Sequence, residues 1–86
     1  MAKKLIYVTT KNRTEALKLG RILLKEKLAT CINCWGGVDS VYWWKGKIEE
    51  TKEGVLLVKT TEQLKRAVVK RIKELHSYEE PSIIGL

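Results

Sequence analysis

The chain has 86 residues, 44% of them apolar, and a net charge of +7, which allows one domain with a modest core. No apolar run approaches the length of a membrane span, and the apolar stretch behind Met1-Ala2-Lys3-Lys4 is too short for a signal peptide, so a cytoplasmic protein without a membrane partner is expected, its two cysteines kept as thiols. The surplus of lysine and arginine raises anionic partners, but these residues fall mostly on outer helix faces among glutamates and read as a solvated surface.

Leu5 to Thr10 is a short β-rich run and reads as a first strand. Asn12 is placed to cap a helix, with Glu15 three residues on completing a capping-box pattern. That helix is expected to run to about Leu28, with Leu17, Gly20, Leu24 and Leu28 on one face and Ala16, Leu19 and Leu23 beside it. Gly20 costs about 1 kcal/mol against alanine at such a position; close packing on a sheet would explain it. Ala29 to Trp44 reads as a long second strand with a bulge or bend at Gly36-Gly37. Lys45-Gly46 supplies a turn. Lys47 to Lys59 is the third strand, its outer half charged and its inner half, Val55 to Val58, apolar as for a strand covered on both faces. Thr60 or Thr61 is expected to cap a second helix, with Glu62 or Gln63 in its first turn and Leu64, Val68, Ile72 and Leu75 along its inner face. That helix ends near His76-Ser77-Tyr78, Pro81 forbids its continuation, and Ser82 to Leu86 begins a fourth strand.

The order strand, helix, strand, strand, helix, strand predicts a ferredoxin-like α+β sandwich, with both helices on one face of the sheet. Residues 1–86 are expected to form a single domain. An 86-residue globule has a diameter of roughly 30 Å, whereas two paired strands of about 14 residues span roughly 46 Å. The hairpin therefore overhangs its own domain. Its tip carries Tyr42 and Trp44 on one face and Val41 and Trp43 on the other. An uncovered aromatic trio exposes roughly 500 Å², a patch that usually marks an interface. Tyr42, Trp43 and Trp44 are accordingly interface candidates, and a closed homo-oligomer would cover both the tip and the helix-free sheet face.

Few residues suggest chemistry. Cys31-Ile32-Asn33-Cys34 is a CxxC, but it lies on a predicted strand, where positions i and i+3 face opposite ways; both cysteines read as ordinary thiols. His76 is the only histidine and sits near a helix C-terminus, where it complements the dipole. Asp39, Glu49, Glu50, Glu53, Glu79 and Glu80 offer hard oxygen ligands or plain surface charge. No phosphate-binding loop or dinucleotide glycine pattern is present, Ser77 has no neighbouring base, and nothing forms a catalytic constellation. The protein is not expected to be an enzyme. Abundant Lys and Glu beside scarce Asn and Gln give a thermophile-like composition.

Ala29-Thr30-Cys31, Ser40 to Ile48 (SVYWWKGKI), Lys59-Thr60-Thr61 and His76 to Pro81 resemble the CutA divalent-cation-tolerance family, in the same order and at similar spacing. The resemblance implies a ferredoxin-like homotrimer, similar in architecture to PII signalling proteins and associated with tolerance to divalent metals, copper among them. In some members a cysteine at the position of Val8 and a histidine at that of Leu75 are proposed copper ligands. Of that set this chain keeps only His76, and Ser77 stands where a proline is common. Members usually continue past the proline segment through more strand and a final helix, so residues 1–86 are expected to lack the C-terminal tail.

The reading is a CutA-like homotrimer of metal response, with metal held at subunit boundaries by His76, Cys31 and carboxylates. A PII-like anion sensor using Lys45, Lys47 and Lys59, and a purely structural hyperstable trimer, stay open as alternatives. Nucleic acid is not expected as a partner: the βαββαβ order is shared with RNA-recognition domains, but these need aromatics on the third strand, which here offers Val55, Leu56, Leu57 and Val58.

Overall fold

The computed structural model describes residues 3–86. Its elements follow the expected order: β1 (Lys3–Thr10), α1 (Arg13–Lys25), β2 (Cys31–Trp44), β3 (Lys47–Thr61), α2 (Lys65–Leu75) and β4 (Ile83–Gly85). The four strands form one antiparallel sheet in the order β2-β3-β1-β4. Non-neighbours in sequence, β1 and β3, lie at its centre. The result is an α+β fold with both helices on one sheet face.

Strand alternation sorts the side chains. Ile6, Val8 and Thr10 of β1 and Leu56, Val58 and Thr60 of β3 are buried beneath the helices. Ala16, Leu19 and Leu23 of α1 and Val68 and Ile72 of α2 close the core from the other side. The alternate positions Leu5, Tyr7 and Leu57 lie on the helix-free face and are not fully covered. Val55, opposite Trp35, is buried even there. The inner half of β3 is therefore covered on one face and partly open on the other.

The Asn12 cap is observed. Its side-chain oxygen accepts from Glu15 N at 2.8 Å, while Glu15 Oε1 accepts from Lys11 N at 2.9 Å. Gly20 is where the helix meets the sheet, since a Cβ there would stand 2.7 Å from Ile32 Cδ1 and 3.1 Å from Leu56 Cδ1. Two expectations for α1 need correction. The buried stripe runs through Ala16, Leu19, Gly20 and Leu23, and Leu24 is exposed. The helix also stops at Lys25, because Lys27 turns left-handed at φ 59° and Leu28 N reaches back to Leu23 O at 2.9 Å. Leucine continues past the stop and hides it from a periodicity argument.

α2 also starts later than expected. Neither Thr60 nor Thr61 caps it; the N-cap is Leu64, without a side-chain cap bond. Thr60 is a buried residue near the end of β3, its hydroxyl donating to Leu28 O at 2.6 Å. Thr61 Oγ1 accepts from Leu64 N at 3.3 Å and so caps the turn before the helix.

The β2–β3 hairpin is shaped by Gly36-Gly37 and by Lys45-Gly46, each in its expected role. The ladder slips between Trp35 and Val38, where Gly37 sits at φ 70°. Lys45 and Gly46 both have positive φ, 51° and 78°, the signature of a type I′ turn that keeps the strands twisted together. Beyond the bulge the ladder continues to Trp44↔Lys47 with no helix over it. The molecule measures 42 × 22 × 20 Å, about twice as long as it is wide.

Candidate functional site

The polar centre of the described residues lies where α2 ends, against the end of β1 and the base of the hairpin. The core leaves three buried polar residues, Thr10, Thr60 and His76, and no buried side-chain nitrogen or oxygen among the described residues lacks a partner. His76 caps α2 with an extended backbone, its amide bonded to Ile72 O at 2.9 Å. Its ring lies 2.8 Å from the Thr9 carbonyl through Nε2, and its Nδ1 accepts from Tyr78 N at 3.0 Å. A carbonyl can only accept and an amide N–H can only donate, so the proton of the neutral ring sits on Nε2. Both ring nitrogens are thus committed.

Two carboxylates complete this knot. Glu15 Oε2 accepts from Ser77 N at 2.8 Å, so the side chain that starts α1 also ties down the end of α2. Burial acts to raise the Glu15 carboxyl, but bonds from Ser77 and Lys11 and the nearby His76 outweigh it and hold the group below the ordinary glutamate range. Tyr78 stacks obliquely on His76, ring centres 4.8 Å apart, and donates its hydroxyl to Glu53 Oε2 at 2.7 Å. Burial first, and then the Glu53 carboxylate, push the phenol well above its usual range. Glu53 pairs with Val38, the first register pair beyond the bulge. The segment 76–78 therefore fastens both helices to the root of the hairpin. Residue spacing singles out His76; the bond from Tyr78 to Glu53 joins positions 25 apart and leaves no periodic trace in the sequence.

The other candidates lie elsewhere. Cys31 opens β2, level with Lys59 and, across it, Leu5. Thr9, which holds His76, is four residues further along β1, or roughly 13 Å at strand rise. Cys31 and His76 are not brought together within one chain. Cys34 points to the other face and packs on the core, so the two free thiols of the CxxC face apart. At the hairpin tip Trp43 is 74% exposed and Trp44 58%, with Val41, Tyr42 and Ile48 also exposed. Lys45 Nζ lies 5.7 Å from the Trp44 ring centre, a cation–π contact at this patch.

Comparison with known proteins settles the kinship. The family profile described as CutA1 divalent ion tolerance protein matches residues 4–86. The chain belongs to this family. It is 44% identical over 82 residues to the divalent-cation tolerance protein CutA of Pyrococcus horikoshii, covering 95% of this chain and 79% of that one. It is 40% identical over 81 residues to the chloroplastic protein CutA 1 of Oryza sativa subsp. japonica, covering 94% of this chain but only 46% of the rice protein. The chain thus spans less than half the length of the rice relative. Its fold overlays that of the periplasmic divalent cation tolerance protein CutA from Archaeoglobus fulgidus with a TM-score of 0.93 at 35% identity, covering 99% of this chain and 82% of that one.

For a CutA family member, the question is whether these residues fit a metal. Within one chain they do not. Among the described residues no group of three His, Cys, Asp or Glu side chains is close enough to hold an ion. His76 has no free lone pair, and Asp39 is engaged by Lys52 at 2.7 Å. No helix of the described residues is long and apolar enough to cross a membrane.

Proposed function

We propose that the chain works in the cytoplasm as a ferredoxin-like homotrimer that responds to divalent metal, copper in particular, without catalysing a reaction. The observation that carries this reading is the uncovered aromatic tip on a hairpin that stretches the molecule to 42 Å. Three indole and phenol rings in water are a poor end point for a folded chain; covering roughly 500 Å² of them is worth on the order of 10 kcal/mol before association costs. Family membership supports the link to divalent ions.

Among the described residues a single chain has no cluster of three ligands, so metal is held where copies meet, by His76, Cys31 and carboxylates from neighbouring subunits. Coordination through His76 Nδ1 must displace the Tyr78 amide that now occupies that lone pair. Copper binding therefore carries a structural signature: the Tyr78 segment moves. Calorimetric titration of the assembled protein with Cu(II), comparing wild type and His76→Ala, tests this. Loss of the binding heat in the variant supports the site, and superimposable isotherms remove His76 from it.

A further inference from the structure

The positive charge of this protein is not spread over it. Residues 11–27 and 62–76, the two helices and their flanks, hold eleven of the 17 Lys and Arg and four of the ten carboxylates, which is the whole +7 surplus. The rest of the chain carries six of each sign and is neutral. The four helix-layer carboxylates are also engaged. Glu15 serves Ser77 and Lys11, Glu62 pairs with Lys4 at 3.3 Å, and both Glu26 and Glu74 are taken by Arg71. Arg71 grips both oxygens of Glu26, locking α1 to α2.

What is left is two rows of cations. Lys18, Arg21 and Lys25 on α1, and Arg66, Lys70 and Lys73 on α2, are exposed and make no ion pair among the described residues. Their spacings of three and four place like charges next to each other on each helix, an arrangement that destabilises a helix rather than supporting it. Each row is roughly 10 Å long at helical rise, and packed helices lie about 8–10 Å apart. Open concavities of about 790 Å³ along α2 and 400 Å³ along α1 lie between these side chains. The glutamates interleaved in the sequence therefore do not neutralise this surface.

We infer that the helix layer is a docking surface for the sugar–phosphate backbone of double-stranded DNA, bound without regard to base sequence. Cation rows on two neighbouring helices, at the about 8–10 Å axis spacing usual for packed helices, suit the phosphate lines flanking the major groove of B-DNA, about 12 Å wide. The side chains present select among polyanions. No aromatic residue lies on α1 or α2 to stack a base, which argues against single strands. Leu24, at 38% exposure, is the one large apolar side chain exposed on the described helices, so there is no apolar face to enter a bilayer. This surface is on the opposite side of the sheet from the one RNA-recognition domains use, and it stands independently of the metal reading.

Fluorescence anisotropy with labelled 20-base-pair DNA and RNA duplexes, each in two unrelated sequences, tests the proposal. Binding is expected to weaken about 100-fold or more between 50 and 200 mM salt, with a log–log slope near −4. Arg66→Gln/Lys70→Gln and Lys18→Gln/Arg21→Gln should each reduce that slope by about 2, whereas Lys3→Gln/Lys52→Gln, with the same loss of charge elsewhere, should barely change it. The RNA duplex, whose major groove is deep and narrow, should bind at least about tenfold more weakly than the DNA duplex, and tighter binding of RNA would contradict the fit. Absence of binding at 50 mM salt, equal loss in the Lys3/Lys52 variant, dependence on base sequence, or stronger retention on phosphatidylserine vesicles than on either duplex would each overturn it.

Discussion

Gly20 and Gly54 show what a single missing methyl group does here. At Gly20 an added Cβ meets Ile32 and Leu56 side chains; at Gly54 it runs into the backbone of Asn12, with Thr10 Oγ1 at 2.7 Å. Side-chain tips can yield and backbone cannot. Gly20→Ala gains helix propensity of about 1 kcal/mol but overpacks the contact, for a small net loss, whereas Gly54→Ala is predicted to lose about 3 kcal/mol in urea unfolding. Gly20 is legible from the sequence because it interrupts a helical pattern. Gly54 is not, since its constraint comes from the Thr10–Asn12 turn on another strand. Tyr78→Phe deletes the bond to Glu53 and is predicted to cost about 1 kcal/mol.

Glu15 links the same scale to pH. Its carboxyl is held below the ordinary range in the folded state, so the unfolded chain binds the proton more readily. The stabilisation is present above the ordinary glutamate range and is lost as pH falls through the lower, folded value. Wild type should therefore lose more thermal stability between pH 6 and pH 3 than Glu15→Gln, and should be the more stable of the two at pH 7. Parallel melting curves for the two proteins across that range would contradict the role given to Glu15.

Among the elements, those with a local signature were legible in the sequence: the Asn12 cap, the Gly36-Gly37 bulge, the Lys45-Gly46 turn and the order of all six elements. The end of α1 and the start of α2 were not. Lys27 adopts the left-handed conformation that glycine usually takes after a helix, and a lysine carries no sign of it. Lys27→Gly should relieve that strain and stabilise the fold by about 0.5–1 kcal/mol. The threonines before α2 look like caps, yet Thr60 is needed by Leu28 O across the fold. The candidate site was legible only in part for a similar reason. His76 stands out as the single histidine, but the tautomer that ties up its ring is set by Thr9 and Tyr78, through a contact 67 residues away.

At the scale of the whole molecule, the proposed trimer would cover the hairpin tip with other copies of the chain. A shared metal site needs it, because ligands too sparse in one copy must come from several. The direct measurement is the mass of the native protein in dilute solution by light scattering, with tryptophan emission recorded on the same sample. The account predicts three copies of 9.9 kDa, about 30 kDa in all, with blue-shifted emission from buried indoles. A stable particle of one chain, with Trp43 and Trp44 emitting as solvent-exposed indoles, would contradict it.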